Sequence, residues 1–341
     1  MADVFFIDFR DRAVTDELFE DLEKLYRKAN FSLMGNIAIK IHFGEYGNIT
    51  HINPEIAGFI AGLAKEKGLP FLTDCNTLYR GKRQNAIEHM ECAVKNGFSY
   101  ATTGVPLVIG DGITGRDYFE IDLGLKHFDK ARIGLAYRYC DSLIALNHFK
   151  GHDSTGFGGA IKNIGMGMAS RSGKQMLHSV IRPQVNEEKC EADGICAEWC
   201  PSGAITVEDV ARIDLSTCIG CGECIAFCPH DAIDVKPTNE MELQERVAEF
   251  AYAIKKHFKE RMGFINVVRN VTPRCDCAPW AGRSAVTDIG ILASKDPVSI
   301  DQCSLDLAVE EGADFLKSGE RQLQYGEEIG LGERKYTLTR V

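Results

Sequence analysis

Hydrophobic and polar positions along the chain follow two periods in turn. The apolar runs VFFIDF (4–9), NIAIKIHF (36–43) and LPFLTDC (69–75) predict strands. Between them lie three segments with helical spacing. Residues 16–29 put Leu18, Leu22 and Leu25 on one stripe, residues 53–68 carry Pro54 in the first turn, and residues 82–96 stop at Gly97. VPLVIG, KARIGLAY and DSLIALNHF add strands up to residue 149. The same alternation resumes later: residues 240–259 predict a helix, GFINVVRN (263–270) and VTDIGILAS (286–294) predict strands, and Pro297–Val309 predicts a helix. Strands alternating with helices predict an α/β domain with a mostly parallel sheet.

The alternation is broken once, by a stretch rich in cysteine. CIGCGECIAFCP (218–229) has Cys218, Cys221, Cys224 and Cys228 followed by Pro229, the spacing of bacterial ferredoxins. Moved back by 218 − 190 = 28 residues, it falls on CEADGICAEWCP (190–201), with Cys190, Cys196, Cys200 and Pro201 in register. Gly222 falls on Gly194, Ala232-Ile233 on Ala204-Ile205, and Cys221 on Asp193. The stretch is an internal repeat with one ligand position changed. In two-cluster ferredoxins the cysteine before proline serves the other cluster. One cluster is therefore assigned to Cys218, Cys221, Cys224 and Cys200, and the other to Cys190, Cys196 and Cys228 with Asp193 at the fourth corner. The first is expected to be 4Fe–4S. The second is either 4Fe–4S with an Asp193 ligand or 3Fe–4S with Asp193 as a bystander, because a carboxylate is a harder ligand than a thiolate. Zinc would need neither the proline after each motif nor the repeat.

Residues 185–238 are accordingly read as an α+β ferredoxin-like two-cluster unit inserted into one α/β domain, whose parts are 1–184 and 239–341. Arg182-Pro183 and Lys236-Pro237 mark the junctions.

Charge narrows the partners. Lysine and arginine less aspartate and glutamate give 39 − 49 = −10, and no basic run points to nucleic acid or an anionic membrane. No apolar segment reaches the length of a span, and the opening MADVFFIDFRDRAV is too charged for a signal peptide. Thirteen cysteines without an export signal predict a reducing, cytoplasmic setting and not a disulfide framework.

A second group of polar residues gathers at predicted strand ends, where open α/β sheets hold ligands. Lys40 and His42 close one strand, and Asp74 and Cys75 another. NHFKGHDSTGFGGAIKNIGMG (147–167) carries His148, Lys150, His152, Lys162 and Asn163 among six glycines, a combination suited to a phosphate or carboxylate. SRSGKQ misses the phosphate-loop pattern, since Gln175 stands where Ser or Thr is needed. Gly151 between His148 and His152 favours a loop over a helical ligand pair. PRCDCAPW (273–280) places Cys275 and Cys277 two apart, open to a metal, a redox pair or a structural turn.

The stretches KIHFGE (40–45), TDCNTLYRGKRQNA (73–86), NHFKGHDSTGFGGAIKNIGMG, CDC (275–277) and DIGILASKDPVSIDQ (288–302) together resemble domain-of-unknown-function family 362, in its iron–sulfur-centre members with an inserted ferredoxin. The resemblance spans nearly the whole chain. It implies an α/β domain with an inserted two-cluster ferredoxin and no particular reaction. The expected activity is that of an iron–sulfur oxidoreductase. Electrons would come from a redox partner such as a ferredoxin or reductase, cross both clusters, and reach a small anionic substrate or cofactor held by Lys40, His42, Lys150, His152 and Lys162. Cys275 and Cys277 would join the redox step or hold a third metal. The alternatives are an electron-transfer or docking protein without its own catalytic site, and an iron–sulfur redox sensor. No GxGxxG signature supports a nicotinamide cofactor, and a flavin stays open.

Overall fold

Eight strands form the central sheet, in the spatial order Tyr336–Arg340, Ala2–Asp8, Gly290–Ser294, Met262–Val268, Ser142–His148, Gly35–Lys40, Gly68–Asp74 and Leu107–Ile109. The structure is a computed structural model that describes residues 1–10, 17–79, 81–178, 183–200, 202–218, 222–234 and 240–341. Ser142–His148 and Met262–Val268 are buried at every position, as strands covered on both faces must be. Among the described strands of this sheet, only Gly290–Ser294 runs against its neighbours. It follows Met262–Val268 with no intervening helix among the described elements, and an antiparallel pair needs no crossover. The remaining pairs are parallel, so the mostly parallel α/β sheet expected from the alternation is present.

The sheet divides the hydrophobic interior in two. Leu143 and Ala145 face one cluster, shared with Val247, Phe250 and Ile254 of the helix Glu240–Phe258. Ile144 and Leu146 face the other, shared with Leu22 and Leu25 of Leu18–Ala29 and with Ile56 and Ile60 of Pro54–Ala64. This odd–even partition is the period of two of a strand buried on both sides.

One predicted strand departs from expectation, and two further elements carried none. KARIGLAY does not join the sheet: Lys130–Gly134 pairs with Tyr118–Asp122 as a separate hairpin, and Leu135–Tyr139 turns into a 3-10 helix. SRSGKQ lies in a helix, Arg171–His178. Tyr336–Arg340 adds an edge strand that its mixed polar sequence does not announce. Among the described residues no helix is long and apolar enough to cross a membrane.

The cysteine-rich stretch has its own small core of Cys196, Ile205, Ala211, Cys224, Cys228, Ala232 and Ile233. Its repeat is visible in three dimensions. Val185 pairs with Ile233 and Ile213 with Ile205, and 185 + 28 = 213 while 233 − 28 = 205. Ala204 N–H donates to Cys200 Sγ at 3.3 Å, and Ala232 N–H to Cys228 Sγ at 3.3 Å. Trp199 and Phe227, also 28 apart, stack with ring centroids 3.9 Å apart. Cys221 and Pro201, and the junction residues Arg182, Lys236 and Pro237, lie outside the described residues.

Candidate functional site

Parallel strands end on the same edge. Lys40, Asp74 and His148, the last residues of three strands of the sheet, therefore meet at one rim. Above them lies a small pocket of about 90 Å³. Its lining includes Lys40, His42, Lys150, Lys162, Cys275 and Cys277 of the expected set, joined by Arg83, Lys174 and His178. His152 is not on the lining, although it lies close enough to Lys162 for their charges to interact.

The cations differ in how far they are committed. Lys40 is fully buried, with Nζ 3.0 Å from Asp74 Oδ1 and donating to Asn163 Oδ1 at 2.7 Å. Burial lowers its pKa despite Asp74 beside it. Its role is to build the floor of the pocket. Lys150 Nζ donates to the His148 carbonyl at 3.0 Å and lies 3.6 Å from Asp276. Burial works against its charge, but Asp276, Cys275 and Cys277 outweigh that and raise its pKa. Lys174 donates to the Ala169 carbonyl at 2.6 Å. The Lys162 ammonium has no hydrogen-bond or ion-pair partner among the described residues and the residue is only half buried, so it is the cation best placed to meet a ligand.

Two histidines are fixed as neutral donors. Gly44 N–H donates to His42 Nδ1 at 3.0 Å, which leaves the proton on Nε2. Ser154 and Thr155 N–H donate to His152 Nδ1 at 3.1 and 3.2 Å, with the same result. Burial depresses the pKa of His42 to about 4 and of His152 to about 3. Burial also brings His178 to about 4.

Cys275 and Cys277 owe their position to the residue between them. Asp276 is fully buried, accepting from Thr50 Oγ1 at 2.8 Å and lying 2.7 Å from His148 Nδ1. Burial opposes its charge, but His148 and Lys150 hold its carboxyl well below the usual range. With Asp276 riveted inward, both flanking side chains line the pocket. The two sulfurs are 3.1 Å apart, and Cys277 Sγ is 3.3 Å from His42 Nε2. The Cys277 thiol holds the Cys275 pKa well below its usual value, burial opposes this, and Lys162 and Lys150 assist. The ligand atoms of His42, Cys275 and Cys277 all lie within 4.8 Å of one another, close enough for a candidate metal site. Sequence reasoning passed over Asp276, Arg83, Lys174 and His178. Asp276 is the centre of the short C-D-C motif, Arg83 lies in TDCNTLYRGKRQNA and Lys174 in SRSGKQ, whereas His178 carries no such signal.

The cysteine-rich stretch lies against this pocket. Cys200, Cys218 and Cys224 line one small cavity, so a cysteine of the first motif sits with two of the second. Around Cys196, whose thiol is pushed up first by burial, stand Asp193, Cys228 and Cys190. Asp193 itself pairs with His230 Nε2 at 3.2 Å and caps Ile195 N–H at 3.1 Å. Glu223 is wholly buried between Arg171 Nη1 at 2.9 Å and Arg116 Nε at 3.1 Å. A Cβ on Gly222 would stand 2.5 Å from Leu78 Cδ1, and Leu78 lines the pocket.

These features define an α/β protein with a cation-lined pocket at the carboxyl edge of its parallel strands and a cysteine-rich unit against the pocket wall. The chain belongs to the family described as domain of unknown function DUF362, which its residues 37–306 match. No curated protein matches it. Among solved structures it is similar to a structural-genomics protein from Thermotoga maritima, with 14% identity, a TM-score of 0.41, and coverage of 92% of this chain and 59% of that one. It is also similar to the lactate racemase apoprotein from Thermoanaerobacterium thermosaccharolyticum, with 12% identity, a TM-score of 0.42, and coverage of 89% and 61%. The chain thus spans about three fifths of each of those chains.

Proposed function

We propose that the chain is an iron–sulfur oxidoreductase that exchanges electrons between a redox partner and a small anionic substrate in the pocket. The observation that carries this reading is the contact of Gly222 with Leu78. It sets the second cysteine motif directly behind the pocket wall. The donor set suits clusters: backbone N–H groups point at Cys190, Cys200 and Cys228 Sγ at 3.3–3.4 Å, as they do where thiolates carry cluster charge. Cys218, Cys221, Cys224 and Cys200 would hold one cluster, and Cys190, Cys196 and Cys228 with Asp193 the other. Such clusters supply one-electron transfer when bound. The protein's own part is to fix their distance from the pocket through Glu223 and to hold the anion with Lys162 and Lys150.

Purification without oxygen, an iron count and EPR spectra before and after dithionite test the reading. About eight irons with signals only after reduction mean two 4Fe–4S centres, and about seven with a signal in the oxidised protein mean one 3Fe–4S centre. Cys200→Ser should lower the iron held with Cys218 and Cys224 and spare the signal of the other cluster. An iron-free protein after anaerobic reconstitution would sink the proposal.

A further inference from the structure

The His42–Cys275–Cys277 group looks at first like a seat for one metal ion, but its geometry argues otherwise. A histidine that ligates a metal through one ring nitrogen normally donates an N–H from the other. His42 does the reverse: its Nδ1 accepts from Gly44 N–H, so Nε2 carries a proton toward Cys277 Sγ. The sulfurs are also too close. Two thiolates around one tetrahedral zinc stand about 3.8 Å apart, given Zn–S bonds of about 2.3 Å. Here they are 3.1 Å apart. A disulfide needs about 2.05 Å, a closure of roughly 1 Å.

We infer that Cys275 and Cys277 form a dithiol–disulfide couple at the wall of the cationic pocket, and that its substrate is an anionic small-molecule disulfide. This rests on the oxidoreductase reading and names the substrate class of the same site. Cys275 is the thiol made more acidic but also the more buried one; Cys277 is less buried and accepts from His42 Nε2 and Cys275 Sγ, so it is the sulfur that reaches the substrate and attacks. Its thiolate bonds to one substrate sulfur, the substrate S–S bond breaks, and the first thiolate leaves. Cys275, held beside it and accepting from Cys277 N–H at 3.4 Å, then displaces the second thiolate from Cys277. Two cysteine sulfurs are oxidised to a disulfide, two substrate sulfurs are reduced, and the two thiol protons pass to the departing thiolates. Return to the dithiol takes two electrons and two protons, the electrons coming singly from an iron–sulfur donor. Lys162 and Lys150 would hold the carboxylates of the substrate. Burial holds four other cysteines as thiols, with Cys92 pushed up to about 11, Cys140 and Cys303 to about 12, and Cys75 higher still, so they do not compete.

The test uses the anaerobic whole protein and oxidised glutathione as the probe, read by mass spectrometry of the peptide spanning 275–277. The peptide should lose two hydrogens as two equivalents of glutathione appear. Cys275→Ser should stop at a glutathione adduct on Cys277, and Cys277→Ser should give no exchange. Lys162→Ala should slow exchange by about tenfold, an effect that salt reduces in the parent. His42→Phe should slow exchange without changing the metal content. An unchanged peptide would overturn the inference. So would one zinc or iron per chain that both serine variants lose and that blocks exchange until it is chelated. Iron and EPR measured on the same sample separate the two claims. Clusters without exchange defeat only the dithiol, and exchange without clusters defeats only the iron–sulfur reading.

Discussion

The two halves of the cysteine repeat share a backbone and differ in what they face. Gly194 and Gly222 occupy the same repeat position, with φ of 79° and 77°, and each opens a short helix. A side chain on Gly194 would meet nothing within 4 Å, whereas one on Gly222 would strike Leu78 and crowd Gln175. The next residue differs in kind: Ile195 in the first half and the buried Glu223 in the second. The two halves of the repeat have thus diverged in their surroundings. One loop is locked to the α/β domain by a buried carboxylate, and the other, the open one, meets it at the surface, where the Trp199 carbonyl accepts from Arg116 Nη2 at 3.0 Å. The single departure from the ligand pattern, Asp193, falls in the open half. The difference teaches that the loops need not do the same job. In the proposed function the open half meets a redox partner and the locked half serves the pocket.

The strongest way to break the comparison is at Glu223. Removing one member of a buried ion pair leaves the other charge stranded and costs about 3–5 kcal/mol. Arg171 is itself fully buried, so Glu223→Ala should lower stability by that order. The charges lie close, but the N–H directions do not aim at the carboxylate oxygens, so attraction between charges carries the contact. Ile195→Ala at the matching position is half exposed and should cost about 1 kcal/mol. Anaerobic thermal unfolding of both variants decides. Equal losses would mean that the second half is not locked to the domain.

The glycines give the next largest effect. An L-residue in the left-handed region costs about 1–2 kcal/mol, and overpacking adds about 1–3 kcal/mol. Gly194→Ala should show the first cost alone and Gly222→Ala both, since only Gly222 has Leu78 against it. The same unfolding measurement reads the difference. A Gly194→Ala variant as unstable as Gly222→Ala would show that the turn at Gly194 is packed as tightly as the one at Gly222.

How much of this was legible beforehand varies with the kind of residue. The sheet was readable because strands buried on both faces, such as Ser142–His148, write continuous apolar runs. The edge strand Tyr336–Arg340 was not, because four of its five positions are exposed and carry no such pattern. The rim residues Lys40, Asp74 and His148 could be found from strand ends alone, since parallel order brings those ends together. Their present duties could not. Lys40 looked like a ligand-binding cation, and the structure commits it to Asp74 and Asn163, contacts made across 34 and 123 positions of chain (74 − 40 and 163 − 40). Asp276 was hidden for a similar reason, as its partners Thr50 and His148 are remote in sequence. Glu223 was within reach: aligning the repeat with itself sets a carboxylate against Ile195, and that mismatch is a signal of different surroundings.

The smallest effect on stability falls at the open half and sharpens the comparison most. Asp193 and His230 form a pair at the surface, with side chains 28% and 37% exposed. Pairs of that kind contribute about 0–1 kcal/mol. Asp193→Cys should therefore leave the unfolding temperature within about 2 °C of the parent. Its effect should appear in the metal. In the proposed function a thiolate at 193 would match the cysteine at the equivalent repeat position 221, so a 3Fe–4S centre should convert to 4Fe–4S, with iron rising from about seven to about eight and the oxidised-state EPR signal disappearing. If the parent already holds about eight irons, the substitution should lower the potential of one cluster only, because a softer and more strongly donating ligand replaces the carboxylate. A change in both clusters, or a loss of stability as large as that of Glu223→Ala, would mean that the halves are coupled and that the open loop is part of the lock.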